Sequence, residues 1–113
     1  MDTAASHSHC VVWTTVGSEE DADRLARWVV ESHLAACAQI QAIKSHYRWE
    51  DRLCADNEWL ILMKTRTDAY GRLEALIRQH HPYTTPEIIA TPIIQGFADY
   101  LAWVDASVDN NPG

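Results

Sequence analysis

Four strand-like runs and two helical stripes, in the order β-α-β-β-α-β, restrict the fold of this chain more than any other feature of its sequence. Residues 10–16 are apolar and β-branched and are closed by Gly17, which predicts a buried strand. Ser18 stands three residues before Asp21, with Glu19 and Glu20 between them, a pattern that caps a helix and suits its dipole. Ala22, Leu25, Ala26, Val29, His33 and Leu34 follow at helical spacing as one apolar stripe. From 37 to 49 the pattern alternates, predicting a long strand with a bend near Ile43 and Lys44, where the phase slips. Polar residues 50–57 turn the chain, and 59–65 form a second apolar strand, so the two make an antiparallel hairpin arm. Thr67 or Asp68 caps the next helix, whose stripe is Leu73, Leu76, Ile77 and His80 and which stops before Pro82. Residues 87–94 read as a last strand, and Pro92 assigns it to an edge or a bulge. Beyond Gly96, Tyr100, Leu101, Val104 and Val108 give a short amphipathic C-terminal helix.

This order is the α+β, ferredoxin-like split βαβ arrangement, with two helices on one face of a four-stranded antiparallel sheet. The strands carry apolar residues on both parities, so the second face must also be buried, and another copy of the chain is the natural cover. An exposed hairpin also invites strand addition between subunits. At 113 residues there is room for one domain. The expected layout is a disordered tail at 1–9, a folded domain at 10–108 and a flexible end at 109–113.

A net charge of −7 sets nucleic-acid binding aside. Three cysteines, Cys10, Cys37 and Cys54, with no C-x-x-C, indicate reduced thiols rather than a disulfide framework or a thiolate zinc site. Residues 1–9 lack the apolar stretch of a signal peptide, and no apolar run approaches the ~20 residues of a membrane span. A soluble, cytoplasmic protein is expected. None of the four glycines falls in a phosphate-binding motif, and no catalytic triad is legible, so no enzyme is expected.

Seven fragments in register carry a resemblance: Thr14-Thr15, Leu34-Ala-Ala-Cys37, Ser45-His-Tyr-Arg-Trp-Glu50, Lys64-Thr65, His81-Pro-Tyr83, Pro86-Glu-Ile-Ile89 and Tyr100-Leu-Ala-Trp103. Together they resemble the CutA divalent-cation tolerance family, over about Val11 to Val108. The resemblance implies a homotrimer of ferredoxin-like subunits, similar in architecture to PII signalling proteins, and a link to divalent-cation tolerance, copper above all. Three positions depart from the family pattern. Gly17 stands where a proline is frequent, Asp51 where glycine follows Trp-Glu, and Thr14 where some members place a cysteine copper ligand. A threonine hydroxyl is a poor ligand for soft copper.

His80 and His81 match the His-His-Pro-Tyr stretch of copper-binding members and are the metal-ligand candidates, with Glu87 as an added oxygen ligand or an orienting group. Adjacent residues on a helix point about 100° apart, so a shared ion needs a departure from regular helix or a ligand from a neighbouring subunit. His80 also continues the buried stripe, which gives it a structural reading. His33 and His46 have no partner at metal spacing and are read as structural, and the His7/His9 pair lies in the tail. Tyr47, Arg48 and Trp49, with Glu50, form the densest mixed cluster. It reads either as an interface anchor or as a cleft for a small anionic or aromatic ligand, to which Lys64 contributes. Lys64 and Glu87 also form a candidate ion pair. Two functions follow: a metal-binding tolerance trimer, or a PII-like module that binds a small ligand between subunits and acts on a partner protein.

Overall fold

A computed structural model describes residues 7–109, so the tail and end expected at 1–9 and 109–113 lie largely outside the described residues. The elements are β1 (His9–Val16), α1 (Glu19–Glu31), β2 (Cys37–Trp49), β3 (Arg52–Arg66), α2 (Tyr70–His80), β4 (Ile89–Pro92) and α3 (Ala98–Ser107). They form one antiparallel sheet in the order β2-β3-β1-β4, the ferredoxin-like topology. Strand β1 begins at His9, inside the expected tail, and β4 lies at an edge, where Pro92 breaks no internal ladder.

Helices α1 and α2 cover one face. Val12, Val16, Ile61 and Met63 from the sheet meet Leu25, Val29, Leu73 and Ile77 from the helices, all of them buried. Each such side chain contributes about 1.5–3 kcal/mol on leaving water. Ser18 caps α1 as its spacing requires, its Oγ accepting from the amide of Asp21 at 3.1 Å. Helix α2 has no side-chain cap; a 3-10 turn at Thr67–Ala69 leads into it instead of a cap at Thr67 or Asp68. His33 is not part of the α1 stripe. It lies past the helix end at φ 60°, where the chain reverses and the amides of Leu34 and Ala35 return to the carbonyl of Val29.

The other face is not bare along its whole length. Helix α3 covers one end of it: Asp105 Oδ1 accepts from Nε2 of His9 at 2.8 Å, and Tyr100 Oη lies 3.7 Å from Cys37 Sγ. Val104 and Val108 close over Ala36 and Ala69 beneath it.

The hairpin arm is longer and straighter than the sequence suggests. Every β2–β3 pair from Cys37↔Lys64 to Trp49↔Arg52 keeps one register, so no bulge occurs at Ile43 or Lys44. The turn is only Glu50 and Asp51, at φ 51° and 63°, a pair of left-handed residues that matches the right-handed twist of a hairpin. Because β1 pairs β3 only from Trp59 to Arg66, the arm projects past β1 by about seven residues, or ~23 Å.

Candidate ligand cleft

The notch between the projecting arm and the end of β1 is filled by the loop from His81 to Ile88. Pro82 forces His81 out of the helix, to φ −76° and ψ 136°, and directs the chain across the end of β1. Two contacts pin the loop. The Nε2–H of His81 donates to the carbonyl of Thr15 at 2.9 Å, with Thr14 Oγ1 at 3.2 Å, and its Nδ1 accepts the amide of Tyr83 at 3.0 Å. Tyr83 then donates its hydroxyl to Glu58 Oε2 at 2.6 Å.

This arrangement leaves a cavity of about 630 Å³, lined among others by Thr15, Ser45, Tyr47, Trp49, Glu58 and Tyr83. Tyr47, Trp49 and Glu58 reach it from one face of the arm, since Ile43 pairs Glu58 and strand alternation puts Ser45, Tyr47 and Trp49 on the same side. Glu58 is only 8% exposed, and the hydroxyl of Tyr83 is its hydrogen-bond donor. Burial and the bond to Glu58 both raise the Tyr83 pKa, so the phenol stays protonated. Tyr47 is held in the same way by Asp56, whose hydrogen bond is the main cause that pushes the Tyr47 phenol up to about 12. Glu87 and His46 stand on the rest of the lining. Among the described residues no lysine or arginine lines the cavity.

The residues singled out from sequence divide sharply. Tyr47 and Trp49 enter the cleft, as does Glu87. Arg48 falls on the opposite face of the arm by alternation. Lys64 is bonded to Gln39, six residues up β3 from Glu58 and ~20 Å away along the strand, so neither the expected Lys64–Glu87 pair nor a cationic cleft forms. His80 and His81 separate: the His80 ring stacks on Trp28 of α1 at 3.9 Å, while both ring nitrogens of His81 are bonded to backbone. Among the described residues no three His, Cys, Asp or Glu side chains converge in a metal-ligating group. The histidine pair as placed therefore does not fit one ion.

Glu58 and Tyr83 are the cleft-lining residues that sequence reasoning passed over. Their signal was present, since Glu58 is a carboxylate at the mouth of an apolar strand, two residues before Leu60 on the same face.

A family model described as CutA1 divalent ion tolerance protein matches residues 10–107. The chain belongs to this family. A divalent-cation tolerance protein CutA from Thermus thermophilus is 45% identical over 95 residues, covering 83% of this chain and 92% of that one. One from Archaeoglobus fulgidus is 37% identical over 101 residues, covering 89% and 99%. CutA1 from Oryza sativa superimposes with a TM-score of 0.89 at 36% identity, covering 92% of this chain and 96% of that one. The CutA1 family is named for tolerance, not for a catalysed reaction. Of the departures from its pattern, Thr14 has a structural role here: fully buried, its hydroxyl oxygen lies within accepting distance of the His81 Nε2–H. Asp51 takes the left-handed turn position that glycine suits better. Gly17 lies under Tyr83, where a Cβ would come 3.3 Å from the phenol oxygen.

Proposed function

We propose that this protein serves divalent-cation tolerance as a binding module rather than an enzyme: a homotrimer whose cleft at the base of the hairpin arm takes up a small ligand and transmits its presence to a partner protein, in the manner of PII-like proteins. The cleft is the observation that carries this reading. It is large enough for a small organic ligand, has aromatic walls and holds one buried carboxylate, whereas the two histidines are committed elsewhere.

The trimer is supported by apolar side chains that a monomer has no reason to expose. Leu53 at the arm tip is 77% exposed, and Ile94 and Phe97 between β4 and α3 are 70% and 73% exposed. Both sheet edges, β2 and β4, are open to strand addition. Three free thiols suit a reducing compartment and a cytoplasmic location, although the Archaeoglobus fulgidus relative is described as periplasmic.

Direct copper binding is the second reading, and one feature favours it. Burial lowers the His81 pKa, which keeps the imidazole in the neutral form that ligates Cu²⁺. Binding there requires Nδ1 to release the Tyr83 amide and a neighbouring subunit to complete the ligand set. A calorimetric Cu²⁺ titration of the wild type beside the His80→Ala/His81→Ala variant separates the two. The cleft reading expects the two proteins to behave alike. A site of one ion per chain or per trimer that vanishes with the histidines establishes the copper reading instead.

A further inference from the structure

We propose that the cleft recognises an alkylammonium ion, a small organic cation bearing N–H donors, rather than an anion. The proposal rests on the reading of the cleft as the ligand site and adds the chemistry of what it takes. Three separate features agree on it.

The first is the state of Glu58. Its side chain is taken out of water, and only Oε2 has a protein donor, the hydroxyl of Tyr83. Among the described residues no cation pairs with it; Arg24 pairs instead with Asp21, Arg66 with Asp68, and His9 with Asp105. A buried carboxylate that lacks a counter-ion is costly, and a cationic ligand entering the cavity supplies one.

The second is the aromatic lining. The rings of Tyr47, Trp49 and Tyr83 border the cavity, and the electron-rich faces of such rings attract organic cations. The phenols add no negative charge of their own, since hydrogen bonds to Asp56 and Glu58 hold both protons in place. Those bonds also fix the rings, so less rotamer entropy is lost when a ligand binds.

The third is the remaining polar lining. The hydroxyls of Thr15 and Ser45 and the carboxylate of Glu87 can all accept from N–H groups. His46 is the one basic residue on the lining, and strand alternation turns its side chain to the face that carries Arg48. A phosphate or carboxylate ligand would meet Glu58 and Glu87 with no lysine or arginine to offset them. A bare metal ion would leave the aromatic walls without a role. A cavity of about 630 Å³ holds a short alkyl chain together with its ammonium head.

The test is a calorimetric titration of the full-length protein at low ionic strength with n-butylammonium chloride, beside n-butanol as the uncharged analogue and ATP as an anion. Glu58→Gln, Trp49→Ala and Glu31→Gln are titrated in parallel. Glu31 lies on α1, away from the cleft, and its replacement removes the same charge. The proposal expects saturable binding of butylammonium and none of butanol. It expects at least a tenfold loss in Glu58→Gln, a marked loss in Trp49→Ala and no change in Glu31→Gln, each variant melting as a folded protein. Equal losses in Glu58→Gln and Glu31→Gln would reveal only nonspecific attraction to an acidic protein and overturn the proposal. Binding of ATP but not butylammonium, lost in Trp49→Ala, would overturn the ligand class while leaving the cleft as the ligand site. Absence of binding by every probe would overturn both.

Discussion

Tyr83 donates its hydroxyl to the buried carboxylate of Glu58 at 2.6 Å, and that bond ties the loop after α2 to the strand that carries the hairpin arm. Tyr83→Phe removes the one donor, among the described residues, to a carboxylate that is nearly out of water. The expected loss is about 1–3 kcal/mol, read as a lower urea midpoint. Glu58→Gln keeps an acceptor for the hydroxyl and costs less.

The same bond sets an alkaline limit. Burial first, and then Glu58, hold the Tyr83 pKa above its unfolded value of about 10. A raised folded pKa means that this contribution is complete below about pH 10 and is lost as the pH climbs from there toward the folded value. Stability measured from pH 9 to 11 should therefore fall less steeply in Tyr83→Phe than in the wild type.

His81 acts in the opposite direction. Desolvation lowers its pKa from the usual 6.5, against smaller opposing effects of the Thr15 carbonyl, Asp21 and Glu58. A proton on Nδ1 would also displace the amide of Tyr83. The stabilisation is whole above about pH 6.5 and is lost as the pH falls toward the lowered value. Denaturation midpoints at pH 7.5 and pH 5 should differ more in the wild type than in His81→Asn, whose carboxamide oxygen still accepts from Tyr83.

Asp51 holds a left-handed turn position at φ 63° that costs a side-chain-bearing residue more than glycine. Asp51→Gly should raise stability by about 0.5–1 kcal/mol without moving the register of β2 on β3. The check is thermal unfolding together with unchanged strand contacts by NMR.

In the proposed trimer the arm tip and the β4–α3 edge are the surfaces that assembly would cover. Leu53→Glu or Phe97→Glu places a charge on an exposed apolar surface that the proposed trimer would bury. Light scattering should show a trimer for the wild type and smaller species for either variant at micromolar concentration. A wild-type monomer would contradict the trimer.

The fold was legible because its signals are local. The apolar stripe of α1, the Ser18 cap, Pro82 after α2 and Pro92 at an edge each follow from spacing or backbone chemistry. Polar residues 50–57 concealed the true length of the arm, because both of its faces are solvent-exposed near the tip and the alternation carries no apolar contrast there. The cleft was half legible. Tyr47 and Trp49 stood out by residue type, but Arg48 between them points the other way by strand parity. Glu58 and Tyr83 are 25 residues apart and meet only because the loop crosses the end of β1. That contact belongs to tertiary structure. The separation of His80 from His81 was foreshadowed by helix geometry, and its cause is the break imposed by Pro82.

The most direct test of the cleft's role is a tolerance assay in cells that lack their own member of the family, complemented with the wild type, Glu58→Gln or His80→Ala and challenged with Cu²⁺. Growth should be restored by the wild type and by His80→Ala and lost with Glu58→Gln, with each protein present at equal level and assembled. Full tolerance with Glu58→Gln would contradict the assignment of function to the cleft.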